Sequence, residues 1–312
     1  MCLAAGRAAN SGVTYAREDF NWDRVEVRRG TFDWRLQDKV VATAARYGIT
    51  ILPILDDPPA WAGGPLLPTN APAYARFAAR AVARYGPGGT FWRRHRSLPQ
   101  RPATWFELLN EPYFAIPAGH TPDPGAYARL VAATTPVARA ANRRARFLIE
   151  AETTYFVAGQ PGQYDWIGGM YAAVPDLGRY FDGFAAHPYT NGSPLVWGPT
   201  PGDHRYQARR IEDMRAALVA HGDRAKHIWI TEIGWSTCQQ NEDCVSETAQ
   251  ANYLRELFRL RRTRWRSYVD AIVGYEFRDG EGSDARMAAW GLLRANGAPK
   301  PGWYAFTAAR PR

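Results

Sequence analysis

Repeated strand–helix units, giving an α/β fold of the (β/α)8 TIM-barrel kind with a first strand that is lacking or degenerate, are what this chain of 312 residues predicts. Three observations carry that expectation. Apolar, strand-like runs end at Arg17, Leu55, Asn110, Glu150, His187, Glu232 and Phe277. Successive ends lie roughly 40–55 residues apart and each gap holds a helical segment, which is the rhythm of βα units. Two of the runs bring a glutamate, Glu111 and Glu232, to the strand's C-terminal lip, where a parallel barrel carries its chemistry. Only seven such runs are visible, one short of a closed barrel. No composition shift or low-complexity tract interrupts them, so residues 1–312 are expected to form one domain.

The elements follow in order. Met1–Asn10 has neither the basic start nor the apolar core of a signal peptide. Leu3–Asn10 reads as the end of a helix and Val13–Arg17 as a strand, with Arg17 at its end. Only twelve residues precede Val13, so either the chain begins late, the favoured expectation, or Met1–Ala5 is a stunted substitute for an earlier strand. A barrel missing that strand has two unpaired edges. Leu36–Tyr47 carries a helical period in Leu36, Val40, Val41, Ala44 and Ala45, with Gly48 as its stop. Ile49–Leu55 is continuously apolar, as in a strand buried on both faces. The loop Asp56–Trp61 follows it. Ala71–Tyr85 is helical, Gly86–Gly89 ends it, and Phe91–Pro102 is a basic loop. Thr104–Glu111 is a short strand that Pro112 stops, because proline cannot donate to a ladder. Asn110 and Glu111 are thereby left at the lip. Gly125–Arg144 is a helix of Ala and Arg, Arg146–Glu150 a strand, and Tyr155–Tyr171 a loop-rich stretch. Phe181–Tyr189 is the next strand and ends in His187-Pro188-Tyr189. Tyr206–His221 is an amphipathic helix. His227–Trp235 is an apolar run ending in Glu232, with Gly234 supplying a break. Glu247–Leu260 is a helix, Asp270–Phe277 the last strand, and Lys300–Ala305 part of a terminal helix.

Composition narrows the function classes. An apolar share of 46% can fill a sizeable core. No apolar run approaches the ~18–20 residues that span a membrane, so no membrane partner is expected. The net charge of +9 is mostly arginine, because the only lysines are Lys39, Lys226 and Lys300. The arginines are scattered, with clusters at Arg93–Arg101 and Arg259–Arg266. No aromatic-interleaved basic stripe accompanies them, so they are expected to solvate helix faces rather than to bind nucleic acid. Twelve Trp and sixteen Tyr are many for this length. Aromatic rings are normally core, and an excess at strand ends and in loops also suits stacking on sugar rings. Cys238 and Cys244 share the polar loop Ser236–Ser246 directly after Glu232. A disulfide closing that loop is favoured and implies an oxidising compartment. Free thiols are the alternative, and no second Cys or His pair is present to complete a metal site. Cys2 is left over.

Asn110-Glu111-Pro112 after one apolar strand and Thr231-Glu232-Ile233-Gly234-Trp235 after a later one resemble the fourth and seventh strands of the clan A glycoside hydrolases. The chain is most similar to cellulase-like members of families 5 and 39, from about Gly12 to its end. The resemblance implies a retaining β-glycoside hydrolase that acts on an oligo- or polysaccharide. It also implies a monomer that needs no cofactor and is secreted or extracytoplasmic. Glu111 is the expected general acid and base, and Glu232 the expected nucleophile. In a closed barrel these two strand ends face each other, and a retaining pair stands about 5–5.5 Å apart. Asn110 is expected to hydrogen-bond the sugar 2-hydroxyl, and Arg17 to sit beneath the nucleophile. His187 is expected to orient the nucleophile and, with Tyr189, to contact sugar. Trp61 is either a stacking platform or packing under its loop. Asp56 and Asp57 either contact sugar hydroxyls or cap the next element. Many relatives floor the cleavage subsite with a tryptophan near the last strand's end. Tyr275, Glu276 and Phe277 stand there in this chain, with Tyr275 taken as the sugar contact. Glu150 and Glu152 are expected to be structural or rim-facing rather than catalytic. Two competing readings stay open: a sugar-binding barrel without catalysis, and a basic protein that holds acidic polymers through its arginine clusters.

Overall fold

The structure is a computed structural model. It describes residues 12–63, 66–114, 121–155, 163–190, 192–194, 207–239 and 244–309. The expectations placed on Met1–Asn10 therefore lie outside the described residues, as do parts of the loops expected at Tyr155–Tyr171 and Asn191–Tyr206.

The chain gathers into two compact units, Val13–Ala185 with Ala217–Lys226, and Ala186–Ala216 with His227–Arg312. In the first, strands β1 (Tyr15–Asp19), β2 (Thr50–Leu55), β3 (Trp105–Leu108), β4 (Arg146–Glu150) and β5 (Gly183–Ala186) pair in chain order. Every pairing is parallel. Helices α1 (Arg35–Arg46), α2 (Ala71–Tyr85), α3 (Pro124–Ala141) and α4 (Trp166–Ala173) fall in the connections. Helix α5 (Arg210–Ala220) precedes the second unit's strand β6 (His227–Ile233), which pairs in parallel with β7 (Val269–Gly274). Helices α6 (Glu247–Thr263) and α7 (Pro301–Ala308) complete that unit. Seven parallel strands are thus present among the described residues.

Local chemistry explains the boundaries. Asn70, Asp123, Asp165 and Ser246 each accept a backbone N–H of the first turn of the helix they precede. Such caps satisfy donors that a helix start leaves orphaned. A second device recurs at the strand ends. The Tyr74 hydroxyl donates to the carbonyl of Leu55, 19 residues earlier, and the Tyr127 hydroxyl to that of Leu108, again 19 residues earlier. The Trp166 indole N–H donates to the carbonyl of Glu150, 16 residues earlier. The helix after each strand thus carries an aromatic donor that closes that strand's buried carbonyl end.

Three expectations shift. Leu36 is 51% exposed, and Gln37 takes the buried position beside Val41, Ala44 and Ala45. Part of Tyr155–Tyr171 is regular, a two-residue hairpin pairing Thr154–Tyr155 with Tyr164–Asp165 and then α4. Strand β1 runs on to Asp19, so Arg17 lies inside it and not at its end. Much of the aromatic excess is core. Trp22 stacks on Phe77 at 5.4 Å and Trp34 on the same ring at 5.9 Å.

Candidate active site

In the first unit the chemistry begins where β3 stops. Leu109 and Glu111 take left-handed φ angles of 63° and 47°, and Asp57 after β2 takes 52°. Residues with a Cβ reach that region at a cost of about 1–2 kcal/mol each. Here they cluster at two adjacent strand ends, and tertiary contacts hold them there. The side chain of Asp56 accepts the backbone N–H of Asn110. Arg17 Nη2 donates to Asn110 Oδ1 at 2.7 Å. A guanidinium has only donors, so the amide oxygen must face it and the NH2 group points elsewhere. Glu111 follows, half-buried, with the Tyr113 hydroxyl 3.5 Å from its Oε1, too far for a strong hydrogen bond.

Arg17 anchors a buried charge cluster. Its Nε and Nη2 donate to the two carboxylate oxygens of Glu107 at 2.9 and 2.6 Å, and Glu150 lies 3.9 Å away. The side chain of Arg17 is 7% exposed and those of Glu107 and Glu150 are 0%. Burial, with the Glu107 charge beside it, pushes the Glu150 carboxyl well above the usual carboxylate range. That shift favours the neutral form of Glu150 beside the Arg17–Glu107 pair. Of the two alternatives expected for Glu150, structural or rim-facing, the enclosed side chain fits the structural one. Glu107 was missed. A carboxylate set among Trp105, Phe106 and Leu108 demands a buried counter-ion, and that was the available signal.

Asp56 is also buried, at 7% exposure. Burial and the neighbouring Asp57 push its carboxyl up to about 7. It serves backbone amides, the capping alternative of the two expected for it, while Asp57 accepts from the Asn21 side chain. Trp61 is half-buried, edge-on to Trp22 at 5.3 Å, and its indole N–H reaches the Glu26 carbonyl at 3.3 Å.

In the second unit β6 delivers Glu232. The Tyr189 hydroxyl donates to Glu232 Oε2 at 2.7 Å, and His187 Nδ1 lies 3.8 Å from the same oxygen. His187 Nε2 stands 3.0 Å from the Thr231 hydroxyl, which orients the ring. The segment carrying His187 and Tyr189 is clamped by buried Arg210, which donates to the carbonyl of His187 at 2.8 Å and of Tyr189 at 2.9 Å. Arg210 escaped sequence reading, since nothing marks one arginine of an amphipathic helix as buried. Glu232, His187 and Tyr189, expected to act together, are thus neighbours.

Tyr275 follows β7, and its backbone N–H donates to Ile233 at 2.8 Å. A Cβ on Gly234 would lie 1.7 Å from the Tyr275 carbonyl oxygen. Glycine is needed there for close approach. The Tyr275 ring meets Tyr189 at 6.4 Å and Trp290 at 5.8 Å, and Trp290 meets Tyr189 at 5.5 Å. Trp290 completes this aromatic trio. Cys238 and Cys244 form a disulfide with Cα atoms 5.4 Å apart. Among the described residues no helix is long and apolar enough to cross a membrane.

No protein-family model and no curated protein sequence matches the chain. Solved structures do. A family 39 glycoside hydrolase from the gut symbiont Bacteroides cellulosilyticus aligns over 99% of this chain and 60% of its own, with a TM-score of 0.68 and 22% identity. A GH5_18 protein of Bifidobacterium longum, solved as an E140A variant with Manβ1-4GlcNAc, aligns over 98% of this chain and 71% of its own, with a TM-score of 0.70 and 14% identity. A monomeric β-xylosidase from Caulobacter crescentus aligns over 98% and 63%, with a TM-score of 0.68 and 18% identity. The chain thus spans 60% and 63% of the family 39 and xylosidase lengths. What these proteins share with it is the fold, a TIM barrel.

Proposed function

We propose that the chain is a glycosidase that cleaves β-linked oligo- or polysaccharides with retention of anomeric configuration. Glu232 is the nucleophile and Glu111 the general acid and base. The carrying observation is the construction around Glu232, a strand-end carboxylate that accepts a 2.7 Å hydrogen bond from Tyr189 beside an oriented His187. Such donors hold a carboxylate in one orientation for attack. The left-handed turn that presents Glu111 directly after Asn110 supports the second role.

In the first step a Glu232 oxygen bonds to the anomeric carbon, the glycosidic C–O bond breaks, and Glu111 gives its proton to the departing oxygen. In the second, Glu111 takes a proton from water, the water oxygen bonds to the anomeric carbon, and the Glu232 ester bond breaks. Asn110, its NH2 group turned away from Arg17, donates to the sugar 2-hydroxyl, an interaction that strengthens in the oxocarbenium-like transition state. Tyr275, Trp290 and Trp61 supply aromatic surface for sugar rings. No cofactor takes part. The disulfide supports an extracytoplasmic location, and the active species is a monomer.

Azide tests the roles. Glu232→Ala should lose about four orders of magnitude or more in turnover of an aryl β-glycoside, and azide should restore it with an α-glycosyl azide as product. Glu111→Ala should lose about 10²–10⁴-fold, and azide should there give the β-glycosyl azide. The opposite assignment of products would exchange the two roles, and full activity in both variants would remove the proposal.

A further inference from the structure

Resting on the glycosidase reading, we propose that Glu107 is a positioning residue that acts through Arg17. It holds the guanidinium so that Arg17 turns the Asn110 amide and presents its NH2 group to the sugar 2-hydroxyl.

The geometry is a relay. Glu107 is fixed by its place in β3 and wholly enclosed. Its two oxygens take Arg17 Nε and Nη2 in a fork, which sets the plane of the guanidinium. The same Nη2 atom reaches Glu107 Oε1 at 2.6 Å and Asn110 Oδ1 at 2.7 Å. That nitrogen carries two protons, so each acceptor takes one, and rotating the fork would break both contacts. Asn110 has its backbone N–H held by Asp56. What remains open is the amide itself, which has two orientations half a turn apart. Arg17 selects the one that leaves the NH2 group for a ligand.

Without the Glu107 charge the guanidinium has another carboxyl within reach, because Glu150 lies 3.9 Å away. Burial and the Glu107 charge raise the Glu150 carboxyl, so removing that charge eases its ionisation and lets it compete for Arg17. The Asn110 amide then samples its other orientation and meets the 2-hydroxyl with an oxygen. Glutamine keeps the shape of either side chain, but at position 107 it removes the charge that forks onto Arg17.

The experiment uses the full chain and 4-nitrophenyl β-D-glucoside or β-D-xyloside, whichever is hydrolysed faster, with its 2-deoxy counterpart. Glu107→Gln should lower kcat/KM on the 2-hydroxy substrate about 10–100-fold, mostly in kcat, and on the 2-deoxy substrate less than about threefold. Arg17→Lys keeps the buried charge but has no fork to span two acceptors. It should show the same selective loss, and it carries the test should Glu107→Gln fail to fold by circular dichroism. Glu150→Gln should lose less than about threefold on both substrates. Equal losses on the two substrates, or none in either Glu107→Gln or Arg17→Lys, overturn the relay while leaving the glycosidase reading in place. A wild-type chain that hydrolyses neither substrate removes both.

Discussion

The two units present their strand-end carboxylates in different ways. In the first, the groups near the turn of Glu111 are ionisable and enclosed: Arg17 forked onto Glu107, Glu150 beside them, and Asp56 holding the Asn110 amide. In the second, Glu232 is met by a neutral phenol, with a histidine oriented by a threonine hydroxyl behind it, and the buried cation Arg210 is spent on backbone carbonyls. A buried ion pair is costly to break from one side, because the remaining charge is stranded, while a neutral donor costs only its own bond when removed. The first unit should therefore answer substitution with loss of folding, and the second with loss of chemistry.

The largest expected effect tests the enclosed charge. Arg17→Met removes the cation that faces the buried Glu107 charge, and denaturant unfolding should show a loss of about 3–5 kcal/mol. A loss under about 1 kcal/mol would remove the contrast. The next is a pH effect. Asp56 titrates near 7 in the folded protein against an ordinary 3.8. Between those values the folded chain holds a proton that the unfolded chain has released, so stability falls as pH rises through that window and is flat above it. Asp56→Asn removes the dependence. Relative to wild type it should gain up to about 4 kcal/mol between pH 4 and pH 8, measured by unfolding at each pH. The neutral arrangement gives a different prediction. Tyr189→Phe should cut kcat about 10–100-fold while leaving the melting curve nearly in place, from the loss of one hydrogen bond to a charged group. The paired substitution Cys238→Ser with Cys244→Ser should cost about 2 kcal/mol, the scale for closing a short loop, with activity at moderate temperature retained. Smallest is Thr231→Val, which should cost about 1 kcal/mol with one hydrogen bond to His187.

Much of the fold was legible because strand and helix periods, caps and breakers agree. Ala71–Tyr85 and Arg146–Glu150 match the expected bounds. The stop at Asn110-Glu111-Pro112 was legible because proline and polar residues interrupt an apolar run, whereas Thr231 and Glu232 lie within a strand that runs on to Ile233. What escaped depends on partners distant in sequence. Arg17 reads as a strand-end cation until β1 is seen to run two residues further, and its partner Glu107 lies 90 positions away. Leu36 fits a helical face by period, but the helix turns Gln37 inward instead, a phase that only packing decides. The aromatic donors Tyr74 and Tyr127 sit at the same 19-residue offset from the carbonyls they close. Each pair joins a tyrosine to a leucine's backbone carbonyl, a group every residue carries, so the residue types do not announce the bond.

The most direct test of the central claim is covalent trapping. An activated 2-deoxy-2-fluoro-β-glucoside or -xyloside slows the second step more than the first, so a retaining enzyme stalls as its glycosyl ester. Peptide mass spectrometry of the inactivated full-length chain should then find one fluoroglycosyl group, on Glu232. A label on Glu111, or hydrolysis of the parent glycoside to an inverted sugar with no label at all, would contradict the assignment.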